Sequence, residues 1–184
     1  YKNSKGELIA PPMRSSDQLM ARRWEIEHNG EVLSPVATKE EKELIPPNIY
    51  AVNKYVCERQ SLIIGKALGI PTVALRFFNA YGPRQALSNP YTGVAAIFAS
   101  RLLNDQSPLI YEDGQQRRDF IHVKDVARAV AMATNSNSQV WEPYNVGTGN
   151  FVTIQYIAQC LSRLLGKEIE PTIVGKYRVG DIRH

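Results

Sequence analysis

Thr72-Val73-Ala74-Leu75-Arg76-Phe77-Phe78 is a short, nearly continuous apolar run, the pattern of a strand covered on both faces in a parallel sheet. What precedes it has a different period. From Tyr50 onward, Val52, Val56, Ile63 and Ala67, with Cys57, Ile64 and Leu68 beside them, form a broad apolar stripe at helical spacing. Gly69-Ile70-Pro71 ends that helix. A helix leading directly into a buried strand predicts an α/β fold.

Downstream, a Gly/Pro/Ser-rich passage over Gly82 to Gly93 gives way to a helical pattern from Val94 to Leu103. Leu109-Ile110-Tyr111 and Asp119 to Val123 then read as two strands around a turn at Asp113-Gly114. Asp125 to Thr134 is an Ala/Val-rich helix and Tyr144-Asn145-Val146 a short strand. Thr153 suits the N-cap of a helix running to Leu165, which Gly166 stops. Ile169 to Val174 is strand-like but interrupted by Pro171.

Upstream, Tyr1 to Pro47 is polar and punctuated by Pro11-Pro12, Asn29-Gly30 and Pro46-Pro47, and reads as an insertion or long loop. Within it, Trp24 to His28 and Glu31 to Leu33 flank Asn29-Gly30, a pair that readily takes up a type I′ hairpin turn. His28 has no second ligand nearby and is expected to be an exposed loop histidine.

The chain has 184 residues, 43% of them hydrophobic and 22% charged, enough for a real core. It opens on Tyr1, carries no signal pattern and has no apolar run long enough for a bilayer. The expectation is a soluble, cytoplasmic fragment with no membrane partner. Cys57 and Cys160 lie far apart inside predicted helices, so reduced core thiols are expected, with neither a disulfide framework nor a metal site. Of the net charge of +4, none comes from the first 49 residues, which hold seven Lys and Arg against eight Asp and Glu. The remainder holds fifteen against ten, scattered and without aromatic-basic alternation. That distribution fits a discrete phosphate ligand better than nucleic acid, and a merely solvated basic surface equally well.

Tyr50 and Lys54 are four residues apart at the start of the predicted helix, where positions i and i+4 are neighbours. An ammonium beside a phenol favours the phenolate, so the pair offers acid/base chemistry on a rigid element. Taken alone, the spacing is common by chance.

It does not stand alone. Tyr50-x-x-x-Lys54 is followed in order by the runs Arg76 to Gln85 (RFFNAYGPRQ), Asp113 to Asp125 (DGQQRRDFIHVKD), Tyr144 to Gly149 (YNVGTG) and Arg178 to Asp181 (RVGD). This series resembles the extended short-chain dehydrogenase/reductase superfamily, specifically the NAD-dependent nucleotide-sugar epimerases and dehydratases of the UDP-glucose 4-epimerase type. The resemblance covers residues 50 to 184 nearly continuously. It implies the C-terminal part of a Rossmann-like parallel-sheet domain over residues 1–88, with a polar insertion at 1–47. An incomplete, smaller mixed α/β domain binding nucleotide sugar would then occupy residues 89–184. The family's glycine-rich dinucleotide motif and the Ser/Thr that supports the catalytic Tyr are absent from these residues, so the fragment alone is expected to bind NAD poorly.

By the same resemblance Tyr50 is the acid/base that takes a proton from a sugar hydroxyl while hydride leaves the same carbon. Lys54 supports it and binds the nicotinamide ribose. Phe77 and Tyr81 border the nicotinamide of NAD, and Asn79 contacts the substrate or, on the blander reading, only closes a turn. Arg118 and Arg178 bind the diphosphate, a task suited to the guanidinium fork. Tyr111 passes the nucleotide base, while Asn145 and Asp181 lie near the diphosphate or ribose; Tyr144-Asn145 could equally be core strand, and Asp181 could merely orient Arg178. The implied function is 4-epimerisation of a nucleotide-diphosphate sugar through a transient 4-keto intermediate. A nucleotide-sugar 4,6-dehydratase and a catalytically inert nucleotide-binding module are the alternatives. The resemblance also implies a homodimer packed through the Tyr-bearing helix, to which Tyr55 and Leu62 add an apolar edge opposite the main stripe. The insertion could serve as a lid or as a partner surface.

Overall fold

Side-chain caps mark four of the helix starts among the described residues. Ser15 accepts from the Gln18 N–H, Asn48 from Ala51, His122 from Lys124 and Thr153 from Tyr156, each satisfying a backbone donor that the first helical turn leaves unpaired. The computed structural model describes residues 1–11, 13–86, 93–136 and 140–184. In chain order its elements are α1 (Ser16–Met20), β1 (Glu27–His28), β2 (Glu31–Val32), α2 (Ile49–Ala67), β3 (Thr72–Phe77), β4 (Asn79–Tyr81), α3 (Val94–Leu103), β5 (Leu109–Ile110), β6 (Arg117–Arg118), β7 (Phe120–His122), α4 (Val123–Thr134), β8 (Trp141–Val146), β9 (Val152–Thr153), α5 (Ile154–Leu164) and β10 (Thr172–Ile173). They belong to two units, Thr38–Pro83 with Phe120–Gly149, and Tyr1–Ala37 with Arg84–Asp119 and Asn150–His184.

In the first of these units β3 runs parallel to β8 from Thr72↔Trp141 to Phe77↔Val146, and β4 runs parallel to β7 from Asn79↔Phe120 to Tyr81↔His122. The chain thus changes strand partner at Phe78, whose N–H still reaches the Val146 carbonyl at 3.1 Å. Strand alternation sorts the side chains of β3 between two helices. Thr72 lies against Gly65 of α2, and Arg76 bonds Glu58 of the same helix. Val73 and Leu75 line a surface hollow with Val130 and Ala133 of α4. One helix on each side of parallel strands is the α/β arrangement expected from the sequence. Pro143 sits within β8, where its missing N–H is tolerated because only β3 pairs with that strand among the described residues.

Gly65 lets α2 approach closely, since a Cβ there would lie 1.9 Å from Thr72 Oγ1. The burial of this helix differs from the expectation. Leu62 is buried, whereas Val52, Val56, Ile63, Ile64 and Leu68 of the predicted core stripe are exposed. Periodicity identified the apolar face, but the strands of this unit receive the helix through Leu62 and Gly65. The Arg76–Glu58 pair draws the same side inward. Cys57 is likewise exposed and not a core thiol, while Cys160 is half-buried; both are free.

In the other unit β1 and β2 form the expected hairpin, with Asn29 at φ 50° and Gly30 at φ 79° supplying its turn. His28 lies in β1, one residue before that turn. β6 pairs antiparallel with β9, and α3 and α5 pack together; Phe98, Leu102, Ile110 and Ala158 contribute to the buried core. The two strands expected to flank Asp113-Gly114 do not pair. β5 takes β10 as a parallel partner, and β7 belongs to the unit of β4. β10 is also shorter than the run Ile169 to Val174.

Contacts divide the chain differently from a linear split at residue 88. Residues 120–149 return to strands β3 and β4, and residues 1–37 group with the C-terminal segment. The tight Lys2–Ser34 pairing and the Arg14–Glu112 ion pair show why the polar N-terminal segment has its own packing. Pro12 and part of the passage Gly82 to Gly93 lie outside the described residues.

Candidate active site

Asn48 begins α2, placing Tyr50 and Lys54 on its first two turns. The Lys54 ammonium lies 5.7 Å from the centre of the Tyr50 ring, the adjacency expected from the spacing. Tyr50 is 65% exposed, so its hydroxyl is accessible in this unit. Four residues beyond Lys54, Glu58 accepts two 2.7 Å hydrogen bonds from Arg76, tying α2 to β3.

At the carboxyl end of β3 the chain carries Phe77 (exposed), Asn79 and Tyr81. Asn79 sits opposite Phe120 in the β4–β7 register. Tyr81 meets the rings of Phe120 and His122 edge-on, with centroids 6.2 and 5.3 Å apart. His122 in turn caps α4, its Nδ1 accepting from the Lys124 N–H at 3.2 Å. Gly82 follows at φ 145°, and Val123 Cγ1 would stand 2.6 Å from a Cβ placed there. The turn is therefore shaped for glycine.

Asn145 is occupied with its own chain. Its N–H donates to the Glu40 carboxylate at 2.9 Å and its Nδ2 to the Thr38 carbonyl at 2.9 Å. The Asn145 N–H is the main influence holding the Glu40 carboxyl below its ordinary range. Arg76 also donates to the Glu40 carbonyl, so residues 38–40 are pinned beside β3 and β8.

The other unit holds the remaining candidates. Arg178 lies over the Tyr111 ring, its guanidinium carbon 5.0 Å from the centre, and Asp181 donates its N–H to the Arg178 carbonyl. Asp181 thus helps shape the turn that carries Arg178. Arg118 is half-buried and donates to the carbonyls of Arg117, Ile182 and Arg183. Burial pushes its pKa down. The guanidinium expected to hold phosphate therefore also anchors the C-terminal segment.

Sequence reasoning passed over a buried ion network in this unit. Arg14 grips Glu112 with two hydrogen bonds and donates to the carbonyls of Trp24 and Asp181. Arg183, fully buried, bonds Glu25, Glu112 and Asp113. Glu112 itself has φ 53°, an uncommon conformation for a side chain of this size. Glu58 was not singled out from the sequence, although it stands one helical turn beyond Lys54; the partners of Arg14 and Arg183 had no local signal.

For NAD, the residues present fit the nicotinamide end: an accessible phenol, an adjacent ammonium, and an exposed aromatic ring at the carboxyl end of a parallel strand. A glycine-rich turn for the pyrophosphate is absent from these residues. Among the described residues no cluster of three or more His, Cys, Asp or Glu side chains could hold a metal ion, and no helix is long and apolar enough to cross a membrane.

Comparison with known proteins adds a family. The one described as the NAD dependent epimerase/dehydratase family matches residues 29–147. A dTDP-L-rhamnose 4-epimerase from Burkholderia thailandensis is 31% identical over 185 residues, covering 100% of this chain and 50% of that protein. Among solved structures, a UDP-N-acetylglucosamine 4-epimerase from Methanobrevibacter ruminantium in complex with UDP-N-acetylmuramic acid is 37% identical. It matches 80% of this chain and 46% of its own with a TM-score of 0.74. A UDP-glucose 4-epimerase from Thermus thermophilus in complex with NAD is 33% identical, covers 83% and 49%, and has a TM-score of 0.71. The chain thus spans about half the length of the curated relatives it matches.

Proposed function

The chain belongs to the NAD dependent epimerase/dehydratase family, and we propose that the protein carrying it is an NAD-dependent 4-epimerase of nucleotide-diphosphate sugars. The observation that carries this reading is the Tyr50–Lys54 pair, an accessible phenol with an ammonium beside its ring on the first turns of a helix. Tyr50 accepts the proton of the sugar 4-hydroxyl and returns it at the end of the cycle. Lys54, with the positive end of the helix, stabilises the phenolate form of Tyr50 that takes this proton and is regenerated when the proton is returned, and also binds the nicotinamide ribose. Bound NAD supplies a hydride acceptor that later returns the hydride. Epimerisation requires the 4-keto sugar to present its other face before that return. Phe77 and Tyr81 flank the nicotinamide, and Asn79 meets the sugar.

Arg178 and Arg118 serve the diphosphate, with Tyr111 at the base; Asp181 shapes the Arg178 turn and Asn145 supports the strand end. The related 4-epimerases are named for dTDP- and UDP-linked sugars, which supports a pyrimidine diphosphate hexose as substrate. Of the apolar edge of α2 expected to serve a homodimer, Tyr55 is exposed but Leu62 is buried, so that edge gives the homodimer only partial support, and the chemistry suits the cytoplasm.

The test is to incubate the full-length protein with UDP- and dTDP-hexoses and resolve the products by NMR. A C4 epimer is expected, and Tyr50→Phe should lower kcat by about 10²–10⁴ while leaving the melting temperature unchanged. A 4-keto-6-deoxy product would assign a dehydratase instead. Turnover undiminished by Tyr50→Phe would remove the catalytic assignment.

A further inference from the structure

The segment that precedes the catalytic helix is bound into the loop that carries Arg178. Arg14 is 4% exposed and Glu112 3%, and their two hydrogen bonds, 2.9 and 2.7 Å, form a forked pair. The same guanidinium reaches the Trp24 carbonyl at 2.9 Å and the Asp181 carbonyl at 3.0 Å. Glu112 fastens the start of the loop as well, its N–H donating to Lys176 at 2.8 Å. Its positive φ is uncommon for a side chain of this size, and these bonds hold it there. Trp24 adds a ring contact to Tyr177, 6.2 Å between centroids, immediately before Arg178. Arg178 itself lies over Tyr111, the residue next to Glu112.

Arg14 and Trp24 lie before residues 29–147, the stretch matched to the family as a whole, although the 31% identical relative aligns over the entire chain. Both nevertheless touch the 176–184 loop. We propose that Arg14 is a positioning residue which, through Glu112 and the Asp181 carbonyl, holds this loop so that Arg178 can engage a nucleoside diphosphate. Residues 1–37 are then a brace for the binding loop, neither a lid nor a partner surface. The inference rests on the proposed assignment of Arg178 to the diphosphate.

Arg14→Lys keeps the charge opposite Glu112 but cannot span both carboxylate oxygens and two carbonyls at once. In the full-length protein, UDP and dTDP are titrated calorimetrically into wild type and variant, and kcat and KM are measured on the nucleotide sugar that wild type epimerises. Kd and KM are expected to rise about tenfold with kcat within about twofold, the cost of one well-oriented charged hydrogen bond. A uniform loss of folded protein would lower the number of binding sites and leave Kd unchanged. If Arg14→Lys does not fold, Trp24→Leu, at a half-exposed ring, must raise Kd in the same direction. A folded variant with wild-type Kd and KM overturns the brace. Wild type that epimerises a sugar nucleotide but binds neither diphosphate overturns the Arg178 assignment and the brace with it, while leaving the reaction assignment standing.

Discussion

Replacing Arg76 with Met should loosen helix α2 from β3 by an amount that depends on pH. Arg76 Nε and Nη2 each bond Glu58 at 2.7 Å, and Nη1 bonds the Glu40 carbonyl at 2.9 Å. The side chains are 22% and 12% exposed, so the pair lies between a solvated surface bridge and a dry one. Breaking a buried pair costs about 3–5 kcal/mol and an exposed one about 0.2–1, which places Arg76→Met at about 2 kcal/mol. With a urea slope of about 2 kcal/mol per molar, the unfolding midpoint should fall by about 1 M.

The pH dependence follows from Glu58. Its hydrogen bond from Arg76 holds the carboxyl below the usual glutamate range, outweighing desolvation, with the guanidinium charge acting in the same direction. A carboxyl with a lowered folded pKa stabilises the fold fully above its unfolded value, about 4.3, and the contribution disappears as pH falls through the lower folded value. The gap between parent and Arg76→Met should therefore be full at neutral pH and shrink below about pH 4. Tryptophan emission during urea unfolding reads it, because Trp141 donates its indole N–H to the Ile70 carbonyl in the same unit. A midpoint shift under about 0.3 M at neutral pH, or an equal shift on both sides of the carboxylate range, would refute the assignment.

Gly65→Ala should destabilise the same unit by about 1–3 kcal/mol despite alanine's better helix propensity, because the new Cβ would overlap Thr72 Oγ1 and press on the Ile70 carbonyl. Stabilisation in the Trp141-monitored urea assay would show that α2 and β3 are spaced more widely. Thr153→Ala removes the acceptor for the Tyr156 N–H and should cost about 1 kcal/mol, with Thr153→Ser largely restoring it. Amide exchange in the first turn of α5 is the readout, and protection equal to wild type in the alanine variant would discount the cap.

The parts of this fold that were legible in the sequence are those set by residues close together along the chain. Thr153 begins α5 and Gly166 follows its end at φ 63°, while Asn29-Gly30 turns its hairpin through positive φ. Strand partners are a different matter, since a parallel partner arrives only after a crossover. The strand Leu109–Ile110 therefore pairs with Thr172–Ile173 and not with the nearer Phe120–His122. Apolar periodicity in α2 likewise shows a stripe without showing what covers it. Tyr50 and Lys54 could be paired from spacing because both ride one helix, whereas the use of Asn145 by Thr38 and Glu40 depends on chain more than a hundred residues away.

The ion network reveals how polar composition misleads. Charged residues in a Pro/Gly-punctuated segment look solvated, since an unpaired charge is far too costly to bury. Arg14 meets Glu112 98 positions away, and Arg183 meets Glu25 at 158, so compensation is invisible locally. Burial opposes the charge on Arg183, but hydrogen bonds from it to Asp113 and Glu25 outweigh burial and hold it protonated more firmly than a solvated arginine. Burial also opposes the charge on Asp113, and the Arg183 hydrogen bond overcomes it, so that carboxyl titrates below its ordinary range. Such a cluster is weak evidence for added stability, since apolar packing could serve as well, but its directional bonds define one arrangement of the joined segments. If the loop presents Arg178 to a diphosphate, as proposed, it requires a fixed geometry, and that requirement would give the polar N-terminal segment a physical reason to carry buried arginine.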